Sequence, residues 1–409
     1  MRRLVVNGGR RLDGEIFVSG SKNAALPIIF ACILTNGVSE IENLPDIGDV
    51  RIALSLISSF GASVEKMGNI TYIDATKMAY RIPDFRLTAK IRASTYLLGS
   101  CLGRFGICHL QPFGGCNFSS RPIDMHIDAC RELGCLLQGD LLSADRLVGA
   151  EITFAKPSVG ATVNAVLLAA TAEGMTHISG CAVEPHIDAL IDFLNSCGGE
   201  ILRQGRDIIV VGKELHGGKI RIIGDMIEAG SYISLGLMCG GRVKVKNAPI
   251  DQMQSFFDSL SHIGTELLVG QDYVTAELKS RSYISVTTGP YPEFPTDLQP
   301  IIAPLMAICS GGEITDKVWC DRFGYLQSLS NLGIKSEIKN NTAIIYPSAI
   351  HSGVATAPDL RGGMACLMTA LAAKGRSEIR SLNTILRGYE NLEQKLALLG
   401  ADIIIEDKF

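Results

Sequence analysis

The stretch Phe113-Gly114-Gly115-Cys116-Asn117-Phe118-Ser119-Ser120-Arg121-Pro122 sets a thiol five residues before a guanidinium, in a polar segment between two apolar runs. The glycine pair frees the backbone for positive φ and for close approach. Arg121 precedes a proline, which biases it toward extended backbone at a helix start. A thiol exposed near fixed positive charge has a lowered pKa and becomes reactive. The plainer reading is a glycine-rich surface loop that happens to hold a free cysteine. Asp297, in Phe294-Pro295-Thr296-Asp297-Leu298, also has two readings. As a helix-end acid it is stabilised by the macrodipole, by about 0.3–1 kcal/mol. As a site carboxylate it accepts a proton from a substrate hydroxyl. His126 and His186 fall on expected surface helices and read as structural rather than catalytic.

These residues sit in a repeated frame. An amphipathic run ending in glycine recurs at Gly61, Gly134, Gly198, Gly264, Gly333 and Gly400, at intervals of 73, 64, 66, 69 and 67 residues. Each glycine suits a helix C-cap in the left-handed conformation, and β-type sequence follows, as in Asp207–Val211 and Thr342–Tyr346. A second helix is expected in every unit, over residues 23–35, 93–104, 160–172, 229–239, 298–309 and 362–373. These runs also end near glycine, at Gly37, Gly106, Gly174, Gly240, Gly311 and Gly375. They are apolar nearly all round, so they predict buried helices, with the amphipathic ones outside. A closed arrangement of three units plus three would bury the six apolar helices at two centres.

Charge gathers where these helices begin. The buried ones open with Lys22-Asn23, Arg92, Ser158-Val159-Gly160, Glu228, Asp297 and Arg361; the outer ones open with Asp49, Arg121, Glu184-Pro185-His186, Asp251, Arg322 and Arg387. A helix N-terminus is already an anion site, because its first N–H groups are unpaired and the dipole is positive there. Adding lysine or arginine at several such ends disfavours the helices themselves. It suits a multiply anionic ligand.

Composition bounds the remainder. With 409 residues, 47% of them hydrophobic and 20% charged, the chain is globular and long enough for two or three domains. A net charge of −4 gives no basic balance that would favour nucleic acid. The 12 cysteines form no C-x-x-C pair and no zinc-type cluster with histidine. Scattered thiols without a signal peptide predict a reduced, cytoplasmic protein. The most apolar early run, residues 24–34, contains Pro27 and is too short for a bilayer, so no membrane partner is expected. There is no P-loop and no G-x-S-x-G elbow, and neither a metal nor a cofactor is expected.

Taken together, Gly20-Ser21-Lys22-Asn23-Ala24-Ala25-Leu26-Pro27, Arg92-Ala93-Ser94, Gly114-Gly115-Cys116, Arg121-Pro122-Ile123-Asp124-Met125-His126 and Pro157-Ser158-Val159-Gly160-Ala161-Thr162 resemble the UDP-N-acetylglucosamine 1-carboxyvinyltransferases, a family of enolpyruvyl transferases. Further matches are Ile227-Glu228-Ala229-Gly230, Phe294-Pro295-Thr296-Asp297, Asp321-Arg322-Phe323, Asp359-Leu360-Arg361 and Leu386-Arg387-Gly388-Tyr389-Glu390, so the resemblance spans the whole chain. It implies an α/β fold of two inside-out barrels, each of three repeated units. It also implies that residues 22–227 form an inserted domain and that residues 1–21 and 228–409 form the other, with hinges near Lys22 and Glu228.

The implied reaction transfers the enolpyruvyl group of phosphoenolpyruvate to the 3-hydroxyl of UDP-N-acetylglucosamine, releasing phosphate and opening peptidoglycan precursor synthesis. By the same resemblance Lys22, Arg121 and Arg387 hold the phosphate of phosphoenolpyruvate, and Arg322 and Arg361 its carboxylate. Asn23, Arg92, Ser158, Val159, Asp297 and Val318 line the nucleotide-sugar site. The segment Arg121, Pro122, Ile123, Asp124 and Met125 contacts the uridine diphosphate, as do Lys156, Pro157, Ser158, Val159 and neighbouring Gly160. Cys116 protonates the methylene carbon or forms an adduct, and it is the residue that fosfomycin would alkylate.

Departures from the family pattern fall at Phe113, where proline is usual, and at Phe118 and Ser119, where the family has isoleucine and glycine. Met226 replaces an arginine and Tyr325 a histidine. They leave open a specialised enolpyruvyl transferase with another nucleotide or sugar acceptor, or a non-catalytic paralogue that only binds nucleotide sugars. The enolpyruvylshikimate-phosphate synthases share the fold but have serine where this chain has Asn23, and they lack the loop cysteine.

Overall fold

The computed structural model describes residues 2–115 and 122–407, which form two compact units. One comprises residues 2–19 and 224–407, the other residues 20–115 and 122–223. Each has a hydrophobic core of its own. The chain passes between units at Ser19–Gly20 and Ile223–Gly224, whereas Lys22 and Glu228 both lie inside helices, Lys22–Ala31 and Met226–Met238.

Both units are inside-out α/β barrels, because their most apolar helices have no polar face to offer water. In the discontinuous unit these are Met226–Met238, Gln299–Ile308 and Leu360–Ala372, which pack on one another. Every residue of Met226–Met238 from Ile227 onward is buried. In the inserted unit they are Lys22–Ala31, Leu97–Phe105 and Val159–Ala169. The expected outer helices are present too, for example Gly48–Ser59, Pro185–Ser196 and Gln254–Ile263, each burying one stripe. The six glycines expected as caps all have positive φ, from 84° at Gly400 to 107° at Gly61.

Among the described residues, five four-stranded sheets share one order: a parallel pair, then two antiparallel neighbours. The underlying repeat is strand, buried helix, strand, outer helix, strand, strand. Ile284–Thr288, Gln299–Ile308, Gly312–Asp316, Tyr325–Ser330, Lys335–Lys339 and Thr342–Tyr346 show it in unbroken sequence. Two repeats are closed by distant strands. Arg2–Gly8 lies antiparallel between Gly375–Arg380 and Ile403–Asp407, and Lys219–Arg221 lies parallel to Val38–Glu42. A third is split, since the inserted unit falls between strand Gly14–Phe17 and helix Met226–Met238.

Each unit pins its own two ends. In the inserted unit Ser21 N–H donates to the Ile223 carbonyl at 2.7 Å, and in the other Asp225 N–H donates to Ser19 at 2.9 Å. Asn43 and Asn247 brace these crossings in matching fashion: both are left-handed (φ 60° and 56°), and their side-chain amides donate to the carbonyls of Ile222 and Val18, each at 2.8 Å. Among the described residues no helix is long and apolar enough to cross a membrane.

Candidate functional site

In the discontinuous unit, three expected site residues meet where buried helices begin. Asp297 lies in the 3₁₀ turn Thr296–Leu298 that leads into Gln299–Ile308. Its carboxylate accepts from Arg322 Nη1 at 2.7 Å and from Arg361 Nε at 3.2 Å. It is therefore more than a helix-end acid: two guanidiniums converge on it, one from the turn before Tyr325–Ser330 and one from the first turn of Leu360–Ala372. Arg361 follows the N-cap of its helix, where Asp359 Oδ1 accepts from the N–H groups of Arg361 and Gly362 at 2.9 and 3.0 Å. The Arg361 side chain is 1% exposed and lies over the Tyr389 ring, 5.5 Å from its centroid. Its Nη1 and Nη2 meet no hydrogen-bond partner among the described residues. Leaving such donors unmet in the interior is expensive, and an anion relieves it.

Val318 follows strand Gly312–Asp316 and donates its N–H to Asp316. Arg387 is half-buried in the turn after helix Leu382–Ile385. The residues just after it are anchored: Tyr389 exchanges a hydrogen bond with Ser231 at 2.8 Å, and Glu390 accepts from Ser19 Oγ at 2.5 Å. Glu228, at another helix start, is instead buried against Lys395 Nζ, 2.5 Å away.

The inserted unit carries the other expected residues. Lys22 opens helix Lys22–Ala31, and its Nζ lies 3.4 Å from the buried carboxylate of Asp49. That pairing offsets the mismatch between a cation and the positive helix end. Asn23 follows it, half-buried. Arg92 opens the 3₁₀ turn Arg92–Tyr96 and is partly buried; burial pulls its pKa below the ordinary guanidinium value. An anion placed beside it gains more there than it would in water.

Pro122, Ile123, Asp124 and Met125 lead into helix Asp124–Glu132, which packs on Val159–Ala169. The start of the second helix carries exposed Lys156 and Pro157, then half-buried Ser158, Val159 and Gly160. Ser158 is the N-cap, accepting from Ala161 N–H at 3.4 Å. Gly160 leaves room for the His126 ring: a Cβ there would lie 2.6 Å from Nε2 and the ring would have to shift. His126 faces inward, on the buried stripe of its amphipathic helix, and is 5% exposed. Burial, with the Arg92 charge nearby, pushes it down to about 4. Cys116 and Arg121, with Phe118 and Ser119, lie outside the described residues.

Several contributors escaped the sequence reading. From sequence Asp49 reads only as a helix-start acid, Thr296, Asp359 and Tyr389 only as parts of motifs, and Asp316 carries no signal. A carboxylate directly before an apolar helix is a cap signal that could have found Asp359. Of the departures from the family pattern, Met226 begins its helix half-buried, and Tyr325 is fully buried with no hydrogen-bond partner for its hydroxyl among the described residues.

A family model described as EPSP synthase (3-phosphoshikimate 1-carboxyvinyltransferase) matches residues 6–396. The chain is 38% identical to UDP-N-acetylglucosamine 1-carboxyvinyltransferase 2 of Clostridium acetobutylicum, covering 98% of this chain and 99% of that one. It is equally similar, at 38% identity with 98% and 99% covered, to the UDP-N-acetylglucosamine 1-carboxyvinyltransferase of Halothermothrix orenii. Among solved structures, the enolpyruvyl transferase NikO from Streptomyces tendae matches with a TM-score of 0.90 at 27% identity, covering 99% of this chain and 98% of that one. EPSP synthase from Acinetobacter baumannii matches over the whole of both chains with a TM-score of 0.77 at 16% identity, a likeness of fold alone.

Proposed function

Because the chain belongs to the enolpyruvyl transferase family, we propose that it transfers the enolpyruvyl group of phosphoenolpyruvate to the 3-hydroxyl of UDP-N-acetylglucosamine and releases phosphate, the first committed step of peptidoglycan precursor synthesis. The observation that carries the chemistry is the buried Arg361, held to Asp297 by one nitrogen while two others meet no partner among the described residues. That geometry suits a planar carboxylate, which takes two parallel N–H donors. The acceptor is carried by the names and full-length similarity of the relatives.

In this reading Arg322 and Arg361 take the carboxylate of phosphoenolpyruvate, while Lys22, Arg121 and Arg387 take its phosphate. Cys116 delivers a proton to the methylene carbon, or adds to the substrate covalently. The sugar hydroxyl attacks the adjacent carbon, and Asp297 accepts its proton. The substrate carboxylate shares the arginine charge and so frees Asp297 for that role. The tetrahedral intermediate carries both phosphate and carboxylate, and fixed cations stabilise it better than mobile water does. It then expels phosphate while a methyl proton passes to the Cys116 thiolate left by the first step, restoring the double bond. Asn23, Arg92, Ser158, Val159 and Val318 line the nucleotide sugar, and the segments Pro122–Met125 and Lys156–Gly160 take its uridine diphosphate at two helix N-termini. Both substrates are small anions made inside the cell, so the reading puts the enzyme in the cytoplasm.

A second reading is a specialised acceptor, favoured by the departures from the family pattern at Tyr325 and Met226. Phosphate release from phosphoenolpyruvate, measured over UDP-N-acetylglucosamine, other nucleotide sugars and free nucleotides, decides between them. Release is expected with UDP-N-acetylglucosamine. Release with a different acceptor alone moves the assignment to the second reading, and none with any acceptor leaves a binding protein.

A further inference from the structure

We propose that Asp316 is a positioning residue that aims Arg322 at Asp297, acting through the hydroxyl of Thr296. The inference rests on the reading of Asp297 as proton acceptor. Asp316 ends strand Gly312–Asp316 and pairs in register with Thr288, the last residue of the parallel neighbour. Both loops that carry site residues leave from this point, one toward Thr296 and Asp297, the other toward Val318 and Arg322. The carboxylate is fully buried and holds both. Its Oδ1 accepts from Thr288 Oγ1 at 2.7 Å and from the N–H groups of Val318 and Trp319 at 2.8 Å each. Its Oδ2 accepts from Thr296 Oγ1 at 2.7 Å and from Gln299 Nε2 at 3.4 Å.

A hydroxyl has one proton. With that proton committed to Asp316, the Thr296 oxygen has only lone pairs to offer, and Arg322 Nη1 donates to it at 3.2 Å while also donating to Asp297 at 2.7 Å. Asp316 thus sets the polarity of the chain Asp316, Thr296, Arg322, Asp297. The repeats supply an internal comparison. Two residues beyond the inward-facing aliphatic of this strand (Ile314 here; Ile41, Ile178, Val245 and Ile379 elsewhere), four other repeats turn left-handed, at Asn43, Gly180, Asn247 and Ser381, with φ of 60°, 73°, 56° and 60°. Of these five repeats, the one that carries Asp297 keeps this position in the strand and holds a buried carboxylate there.

The test uses the full-length protein with phosphoenolpyruvate and UDP-N-acetylglucosamine. Thr296→Val keeps the side-chain shape and removes the hydroxyl, and Thr296→Ser keeps the hydroxyl. For Thr296→Val kcat is expected to fall by about tenfold to a hundredfold, as for a misplaced reacting group. KM for phosphoenolpyruvate is expected to change less than kcat, the melting temperature to fall because the buried Asp316 carboxylate loses a donor, and Thr296→Ser to recover most of each loss. An unaffected kcat in Thr296→Val, or equal damage in Thr296→Ser, overturns the relay. Asp297→Asn is measured alongside: normal turnover there overturns Asp297 as acceptor, whereas loss there with an intact Thr296→Val overturns only the relay. Rotation of the Arg322 guanidinium, followed by nitrogen-15 exchange, gives a reading independent of turnover. It is expected to be faster in Thr296→Val than in the parent or Thr296→Ser, and equal rates overturn the proposal.

Discussion

His126 is a side chain whose charge the fold resists. Its pKa lies at about 4 because it is buried and faces Arg92, against about 6.5 in an unfolded chain. Between those values the unfolded chain binds a proton that the folded one does not, so stability falls as pH falls, by about 1.4 kcal/mol for each pH unit across that window. Urea midpoints taken at pH 7 and pH 5 should show the loss, and His126→Gln should flatten it; an equal slope in that variant would assign the acid sensitivity elsewhere. The thiols make a second contrast. Burial pushes Cys181, Cys197, Cys239 and Cys366 up to about 12, which leaves almost no thiolate at neutral pH. An epoxide phosphonate is therefore expected to label Cys116 and spare these four. Cys320 is exposed, a competitor that its sequence neighbourhood did not advertise, so peptide mapping has to separate the two. Label on Cys320 with none on Cys116 would remove the thiol from the proposed chemistry.

At the scale of elements, helix starts are held by contacts that leave little room. A Cβ at Gly362 would lie 2.6 Å from Tyr325 Cβ. Alanine in a helix interior gains about 1 kcal/mol over glycine, but overpacking against a Cβ, which no rotamer can move aside, costs about 1–3 kcal/mol. Gly362→Ala is thus expected to lower the unfolding midpoint, and a raised midpoint would mean that Tyr325–Ser330 shifts freely. Much of this framework is visible in the chain itself. A run that is apolar on every side has only one place to go, which is why Met226–Met238 and Leu360–Ala372 read as buried, and the six glycines that close the amphipathic runs all take positive φ. The helix limits drifted by a few residues, as in residues 93–104, where the first turn is the 3₁₀ segment Arg92–Tyr96. What could not be read is contact between distant segments. Nothing near Lys22 in sequence names Asp49, and nothing in the period-two pattern of Gly312–Asp316 marks its last inward position as polar. His126 reads as structural from sequence and lies on the buried stripe of its amphipathic helix, but its neighbours Gly160 and Arg92 are not named by anything near it in sequence. The strand partners of Arg2–Gly8 and Lys219–Arg221 were equally hidden, because both close repeats begun far away.

For the molecule as a whole, each unit closes on itself. The inserted unit has its own core, and its ends are joined by the Ser21 to Ile223 hydrogen bond. Residues 20–223 expressed alone are therefore expected to unfold in one cooperative transition while showing no turnover, since Asp297, Arg322 and Arg361 lie in the other unit. A broad, non-cooperative melt would mean that this core depends on the rest of the chain. The same topology sets an order of events on the ribosome. Strand Arg2–Gly8 emerges first and pairs last, because its neighbours Gly375–Arg380 and Ile403–Asp407 are made at the very end. The contiguous segment 20–223 can meanwhile complete itself during translation. A message cut short beyond that point yields one finished unit tethered to an apolar strand with nothing to pair, and such an edge invites aggregation. Nascent chains stalled in this interval should therefore be clients of chaperones and proteases for the time it takes to make the remaining residues.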